Sequence, residues 1–226
     1  MFTLFLCNNY LWHMKHLFPT LTTFTFVLIL FSCTAQSNKK RPDTRINLNP
    51  PAGKAVAAFA EGCFWCSEHI FEAVVGIDSA VSGYAGGAVP NPSYELVNTE
   101  TTGHAESVLV YYDPKIITYA ELLKVFFTSH DPTTKDRQGP DHGNSYRSII
   151  FYRGAEEQGL AEQARKDFAK SFKNPIVSEI KPLTEFYKAE GYHQNYIEHN
   201  PNSPYVRGVS IPRFELFKRT YKGKLK

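Results

Sequence analysis

The chain has 226 residues, 42% hydrophobic and 21% charged, with a formal net charge of +3. That length supports one domain with a proper core plus an appendage. The 25 Lys and Arg residues are spread along the chain, which speaks against a nucleic-acid partner, and four cysteines at this length do not make a disulfide scaffold.

Residues 1–33 read as a leader, to be set aside before fold reasoning. From Met14 onward they carry the parts of a signal peptide: Lys15 in a short positive region, then the apolar run Phe24–Phe31, too short to span a bilayer. Met14 is therefore the expected start. "LFSC" follows and resembles a bacterial lipobox, with Cys33 as the lipidated residue and Phe31 where a smaller residue is usual. The expectation is a cell-envelope protein, periplasmic or held at the outer membrane by a lipid anchor. The alternatives are an uncleaved hydrophobic anchor, or a cytoplasmic protein with a misassigned start. Residues 34–51, polar and proline-rich, read as a flexible tether, and the folded domain is expected over 52–226.

Within the domain, "KAVAAFA" (54–60) fits a buried strand. The segment after it places Ile70, Phe71, Val74 and Val75 on one helical face that Gly76 ends. "AVSGYAGG" reads as a strand entering a glycine loop, and "SVLVYY" (107–112) as a further strand. Thr118 and Glu121 form a capping box for a helix with Leu122, Leu123, Phe126 and Phe127 on its apolar face. "YRSIIFY" (146–152) is a strand, 156–172 an amphipathic helix, "PIVSEI" a last strand and "YHQNYIEHN" a short helix. The basic tail after Pro204 reads as mostly extended, either a contact for membrane or partner or an extension packed on the domain. Interleaved strands and helices give an α/β (α+β) layered domain with a mixed sheet.

"EGCFWCSEHIFEA" (61–73) places Cys63 at a strand-to-helix turn, where the free N–H groups of a helix start favour a thiolate. Cys66 lies one turn on, within reach of a disulfide. Four readings compete. A zinc site needs about four ligands, and His104 and His142 match no familiar spacing around a lone CxxC. A thioredoxin-like motif would carry Pro or Gly where Phe64 and Trp65 stand. Two ordinary buried cysteines would leave the turn without purpose. The fourth reading is a redox nucleophile with a resolving partner.

"GCFWCSE" resembles the signature of the methionine sulfoxide reductase A family. So, in the same order, do "GYAGG" (83–87), "NPSYELV" (91–97), "TGHAESVLVYYDP" (102–114), "FFTSHDPTTKDRQGPDHGNSYRS" (126–148) and "FYKAEGYHQNYIEHNP" (186–201). The resemblance covers roughly residues 54–207. It implies a two-layer sandwich with a ferredoxin-like core and an extended, irregular C-terminal region. It implies Cys63 as catalytic cysteine, Phe64 and Trp65 as the pocket for the substrate's S-methyl group, and Glu106 as the acid. Tyr94 and Tyr146 would hydrogen-bond the sulfoxide oxygen, and Asp141 would support the site. Many relatives carry a resolving cysteine near the C-terminus; no cysteine follows Cys66 here, so Cys66 is the expected resolver. The implied partners are oxidised proteins, free methionine S-sulfoxide and a thioredoxin-type reductant, with no metal or organic cofactor and a monomeric chain. The rival, an envelope lipoprotein that binds peptides at an inactive site, sits poorly with the presence of Cys63, Glu106, Tyr94 and Tyr146 together.

Overall fold

The structure, a computed structural model, describes residues 42–226. In chain order the elements are β1 (Ala55–Glu61), α1 (Phe64–Glu72), β2 (Ile77–Ala85), α2 (Tyr94–Val97), β3 (Ala105–Tyr112) and α3 (Tyr119–Ser129). The two-residue strands β4 (Arg137–Gln138) and β5 (Asp141–His142) follow, then β6 (Ser148–Tyr152), α4 (Ala155–Ala169), β7 (Glu179–Pro182), β8 (Phe186–Lys188), α5 (Tyr196–His199) and α6 (Ile211–Thr220).

The main sheet has the order β7-β6-β1-β3-β2-β8. Its inner four strands, β6-β1-β3-β2, are antiparallel at every step, with α1 and α3 as the crossovers, and this is the ferredoxin-like core. β7 adds parallel to β6 and β8 antiparallel to β2, so the sheet is mixed. β1 is apolar from Ala55 to Ala60 because both faces are covered: Val56 to Ala60 are all buried. On one face Phe59 stacks on Phe71 of α1 and meets Phe126 of α3. On the other, Val56, Ala58, Leu109, Ile149 and Phe151 form a second cluster against Phe186. The expected capping box holds α3: Thr118 Oγ1 accepts from Glu121 N at 3.3 Å, and Glu121 Oε2 accepts from Thr118 N at 2.8 Å.

Three expectations change. The folded domain begins before Ala52: Ile46 N donates to Phe186 O, Lys188 N donates to Thr44 O, and Ile46 and Leu48 pack on the second cluster. Apolar residues at 46 and 48 cover a sheet face that the polar composition around them hides. "PIVSEI" pairs later than expected, only from Glu179, since Pro175 has no N–H for a ladder and Val177 N turns to Pro132 O. The tail is helical, not extended. A π-turn over Val206–Ser210 leads into α6, Phe217 is fully buried, and the last residues return to α1, with Lys226 N donating to Ala73 O. Of the two tail readings, the packed extension is the one the fold contains.

Candidate active site

The end of β1 and the start of α1 place the two cysteines. Gly62 turns the chain at φ +88°, and a Cβ there would lie 2.5 Å from Gln138 Cβ, so only glycine fits. Cys63 is the N-cap of α1 and Phe64 its first residue. The first amide of the helix does not serve the sulfur: Phe64 N donates to Glu106 Oε2 at 3.1 Å. Glu106 comes from β3, with apolar sheet around it, and is 2% exposed. Burial raises its pKa to about 8, against the pull of the Phe64 N–H, and the neighbouring Asp141 carboxylate raises it further. The acid expected at this position is therefore protonated at neutral pH.

A cavity of about 320 Å³ opens beside Cys63. Phe64, Trp65, Tyr94, Glu106, Asp141 and Tyr146, every substrate-contact residue expected from the sequence, line it together with Tyr196 and Tyr205. Trp65 is stacked face to face on Tyr196, centroids 3.7 Å apart at 8°, and Tyr205 meets it edge-on. The Trp65 indole N–H donates to His193 Nδ1 at 3.0 Å. That bond leaves the ring proton on Nε2, which faces Glu190 at 3.8 Å, and burial keeps this histidine neutral. Tyr205 O–H donates to Asp141 Oδ2 at 2.5 Å, while the phenol also reaches Cys63. Burial pushes Tyr94 and Tyr146 up, so both stay phenols able to donate into the cavity.

Cys66 lies outside the cavity, directly behind Cys63, and both are free thiols. Their side chains are hydrogen-bonded to each other. The expected lowering of the Cys63 pKa is not what the geometry gives: burial and the adjoining Cys66 push it up. The first helical amide, which would favour a thiolate, is committed to Glu106 instead. Cys66 is the member pushed down, by the Cys63 hydrogen bond first and then by Arg213 and Ser210. Within this pair Cys66 is the member whose ionisation the surroundings favour. Arg213 is itself anchored by Glu61 at 3.0 Å.

A family model described as peptide methionine sulfoxide reductase matches residues 55–225. The chain belongs to the methionine sulfoxide reductase A family. It is 46% identical over 174 residues to a peptide methionine sulfoxide reductase of Rhodopirellula baltica, covering 77% of this chain and 91% of that one. A Thermus thermophilus relative is 45% identical over 171 residues, covering 76% and 97%. The solved methionine sulfoxide reductase A of Corynebacterium diphtheriae superposes with a TM-score of 0.62 at 34% identity, over 70% of this chain and 79% of that one. Within the family frame, several side chains of this site have no assignment from the sequence, among them Glu61, His193, Tyr196, Tyr205, Ser210 and Arg213. His193 sits inside the "GYHQNY" stretch, and that stretch is the signal that could have found it. Arg213 is one basic residue among many in the tail, with nothing in the local pattern to single it out. The expected lipidation residue, Cys33, lies outside the described residues.

Proposed function

We propose that this chain reduces the S epimer of methionine sulfoxide, in proteins and as the free amino acid, with Cys63 as nucleophile, Glu106 as acid and Cys66 as resolving thiol. The observation that carries the reading is a protonated, buried Glu106 and Cys63 facing one aromatic-walled cavity. The methyl group of the substrate enters between Phe64 and Trp65, where an apolar wall excludes water. The Cys63 sulfur attacks the sulfoxide sulfur. Negative charge moves to the oxygen, which takes the proton of Glu106 and hydrogen bonds from Tyr94 and Tyr146. The thiol proton of Cys63 replaces the one Glu106 gave. The oxygen passes to Cys63 as a sulfenic acid and the thioether leaves. Cys66 then displaces the hydroxyl, giving a Cys63–Cys66 disulfide and water. An external dithiol of the thioredoxin type reduces that disulfide.

The test is one turnover without reductant. Wild-type protein should release one methionine, lose both thiols and yield a Cys63–Cys66 cross-linked peptide by mass spectrometry. Cys63→Ser should release none; substantial release would remove Cys63 from its role. Cys66→Ala should release methionine once and leave a sulfenic acid open to a dimedone probe, and then fail to cycle with thioredoxin.

The leader supports a second part of the proposal: a monomeric enzyme of the cell envelope, lipidated at Cys33, that repairs oxidised envelope proteins. Support comes from the apolar run and "LFSC" ahead of a polar segment. Mass spectrometry of the mature N-terminus decides it. A soluble cytoplasmic chain beginning at Met1 or Met14 contradicts it.

A further inference from the structure

The C-terminal segment brings three side chains to the cysteines from one short stretch. Tyr205 precedes the π-turn, Ser210 ends it and Arg213 stands in the first turn of α6. A π-turn resets which residues face inward, and here both Ser210 and Arg213 point into the protein. Ser210 Oγ lies 3.2 Å from Cys66 Sγ, and both residues are almost completely buried. Arg213 is held at two points: Nε donates to Ser129 O at 2.8 Å and Nη2 to Glu61 Oε1 at 3.0 Å. Glu61 is fixed in turn by Ser129 Oγ at 2.6 Å. The remaining nitrogen, Nη1, faces the turn that carries Cys63, 3.8 Å from where a Cβ on Gly62 would stand. The guanidinium is thus clamped with its third corner toward the Gly62–Cys63 turn.

The geometry points to Arg213 and Ser210 as positioning residues that hold the Cys66 sulfur as an anion and so set the rate at which it closes the disulfide. This rests on the reading of Cys66 as resolver. The ionisable groups around Cys66 are Glu61 on β1, Cys63 at the start of α1, Glu106 on β3, Asp141 on β5, and Tyr205 and Arg213 from the tail. All but Arg213 are neutral or negative, and among these Arg213 alone favours a thiolate by its charge. Burial raises Glu61 to about 7, so part of the guanidinium charge is left for the sulfur rather than consumed by the carboxylate. Arg213 and Ser210 both draw the Cys66 pKa down.

In the resolving step the Cys66 thiolate attacks the sulfur of the Cys63 sulfenic acid. The S–S bond forms as the S–O bond breaks, and the departing hydroxide takes the Glu106 proton to become water. Cys66 sulfur is oxidised and Cys63 sulfur reduced by the same amount. Only the thiolate performs this attack. A Cys66 kept ionised through the first step needs no further deprotonation before the second.

Single-turnover kinetics without reductant separate the steps, with methionine release reporting the first and loss of free thiols the second, followed from about pH 6 to about pH 9 around the unperturbed thiol value. Wild-type closure should vary little until Glu106 ionises near pH 8, a loss every variant shares, so each variant is compared with wild type at the same pH. Arg213→Gln should release methionine at close to the wild-type rate. Its closure at neutral pH should slow on the order of tenfold, as the thiolate fraction falls and nucleophilicity partly compensates, and should recover toward alkaline pH. Ser210→Ala should show the same profile with a smaller loss, and Arg213→Lys should restore part of it. Ser210→Ala removes one oxygen, so it carries the test if Arg213→Gln does not fold. Closure slowed equally at every pH, or unchanged closure in these variants, overturns the proposal. Cys66→Ala run alongside keeps the two readings apart. If it closes normally, the resolver assignment fails. If it fails to close while Arg213→Gln and Ser210→Ala keep the wild-type pH profile, only the role of Arg213 and Ser210 fails.

Discussion

Glu106 is a carboxylic acid rather than a carboxylate at neutral pH because the sheet around it excludes water and its one amide partner does not offset that loss. Two consequences are measurable. The rate of methionine release should fall as pH rises through about 8, the range in which Glu106 ionises. Glu106→Gln should lose on the order of 10²–10³-fold in that step, the usual worth of a positioned general acid. The second consequence concerns folding. A carboxyl whose folded pKa lies above its unfolded value holds its proton while the unfolded chain sheds its own. Its contribution to stability is therefore intact below about 4.5 and is lost as pH rises through about 8. Each unit of displacement is worth about 1.4 kcal/mol. Glu106→Gln should thus gain stability relative to wild type between those limits, by a few kcal/mol in urea unfolding at the alkaline end. A constant difference across the range would mean the carboxyl is not held neutral by burial. His193 acts on the substrate wall instead, since its bond to the indole fixes Trp65 against Tyr196. His193→Ala should raise KM several-fold more than it lowers kcat, the pattern that follows from the proposed role of Trp65, which grips substrate and transfers no proton.

The C-terminal helix is the element that most changes the picture of the site. Phe217 is fully buried in α6, stacked on Tyr221, and Phe214 meets His69 of α1 edge-on. Phe217→Ala should cost about 3–5 kcal/mol in urea unfolding, the usual range for a phenylalanine deleted from a core. A cost below about 1 kcal/mol would mean the helix is not part of the fold. Little of this is legible in the sequence, for a definite reason. Pro204, Gly208 and Pro212 read as breakers, and the inward positions at 210 and 213 are Ser and Arg, so the apolar period that reveals a buried helix is interrupted where the helix meets the cysteines. Where the inward face is apolar the reading succeeds: the Ile70 and Phe71 face of α1, the capping box of α3 and the apolar run of β1 are as expected, although α1 ends at Glu72, so Val74 and Val75 fall beyond it. The same contrast holds inside the site. Cys63, Phe64 and Trp65 are legible because they are contiguous and rare. Arg213, by contrast, which favours ionisation of Cys66, lies 147 residues away in sequence and becomes visible only through packing.

At the scale of the molecule, the ferredoxin-like sheet sets one edge of the cavity and the irregular connections close it. β1 delivers the cysteine turn, β3 delivers Glu106, the α2 region Tyr94, the turn before β6 Tyr146, and the C-terminal segment Tyr205. In the pose proposed above, with the methyl group between Phe64 and Trp65, only one of the two sulfoxide epimers, which carry oxygen on opposite sides of the sulfur, would direct its oxygen to Glu106, Tyr94 and Tyr146. Stereospecific turnover is the most direct test of that arrangement. Purified protein with dithiothreitol as reductant should convert the S epimer of methionine sulfoxide and leave the R epimer untouched, and Cys63→Ser should convert neither. Comparable turnover of both epimers, or S-epimer turnover that survives Cys63→Ser, would contradict it.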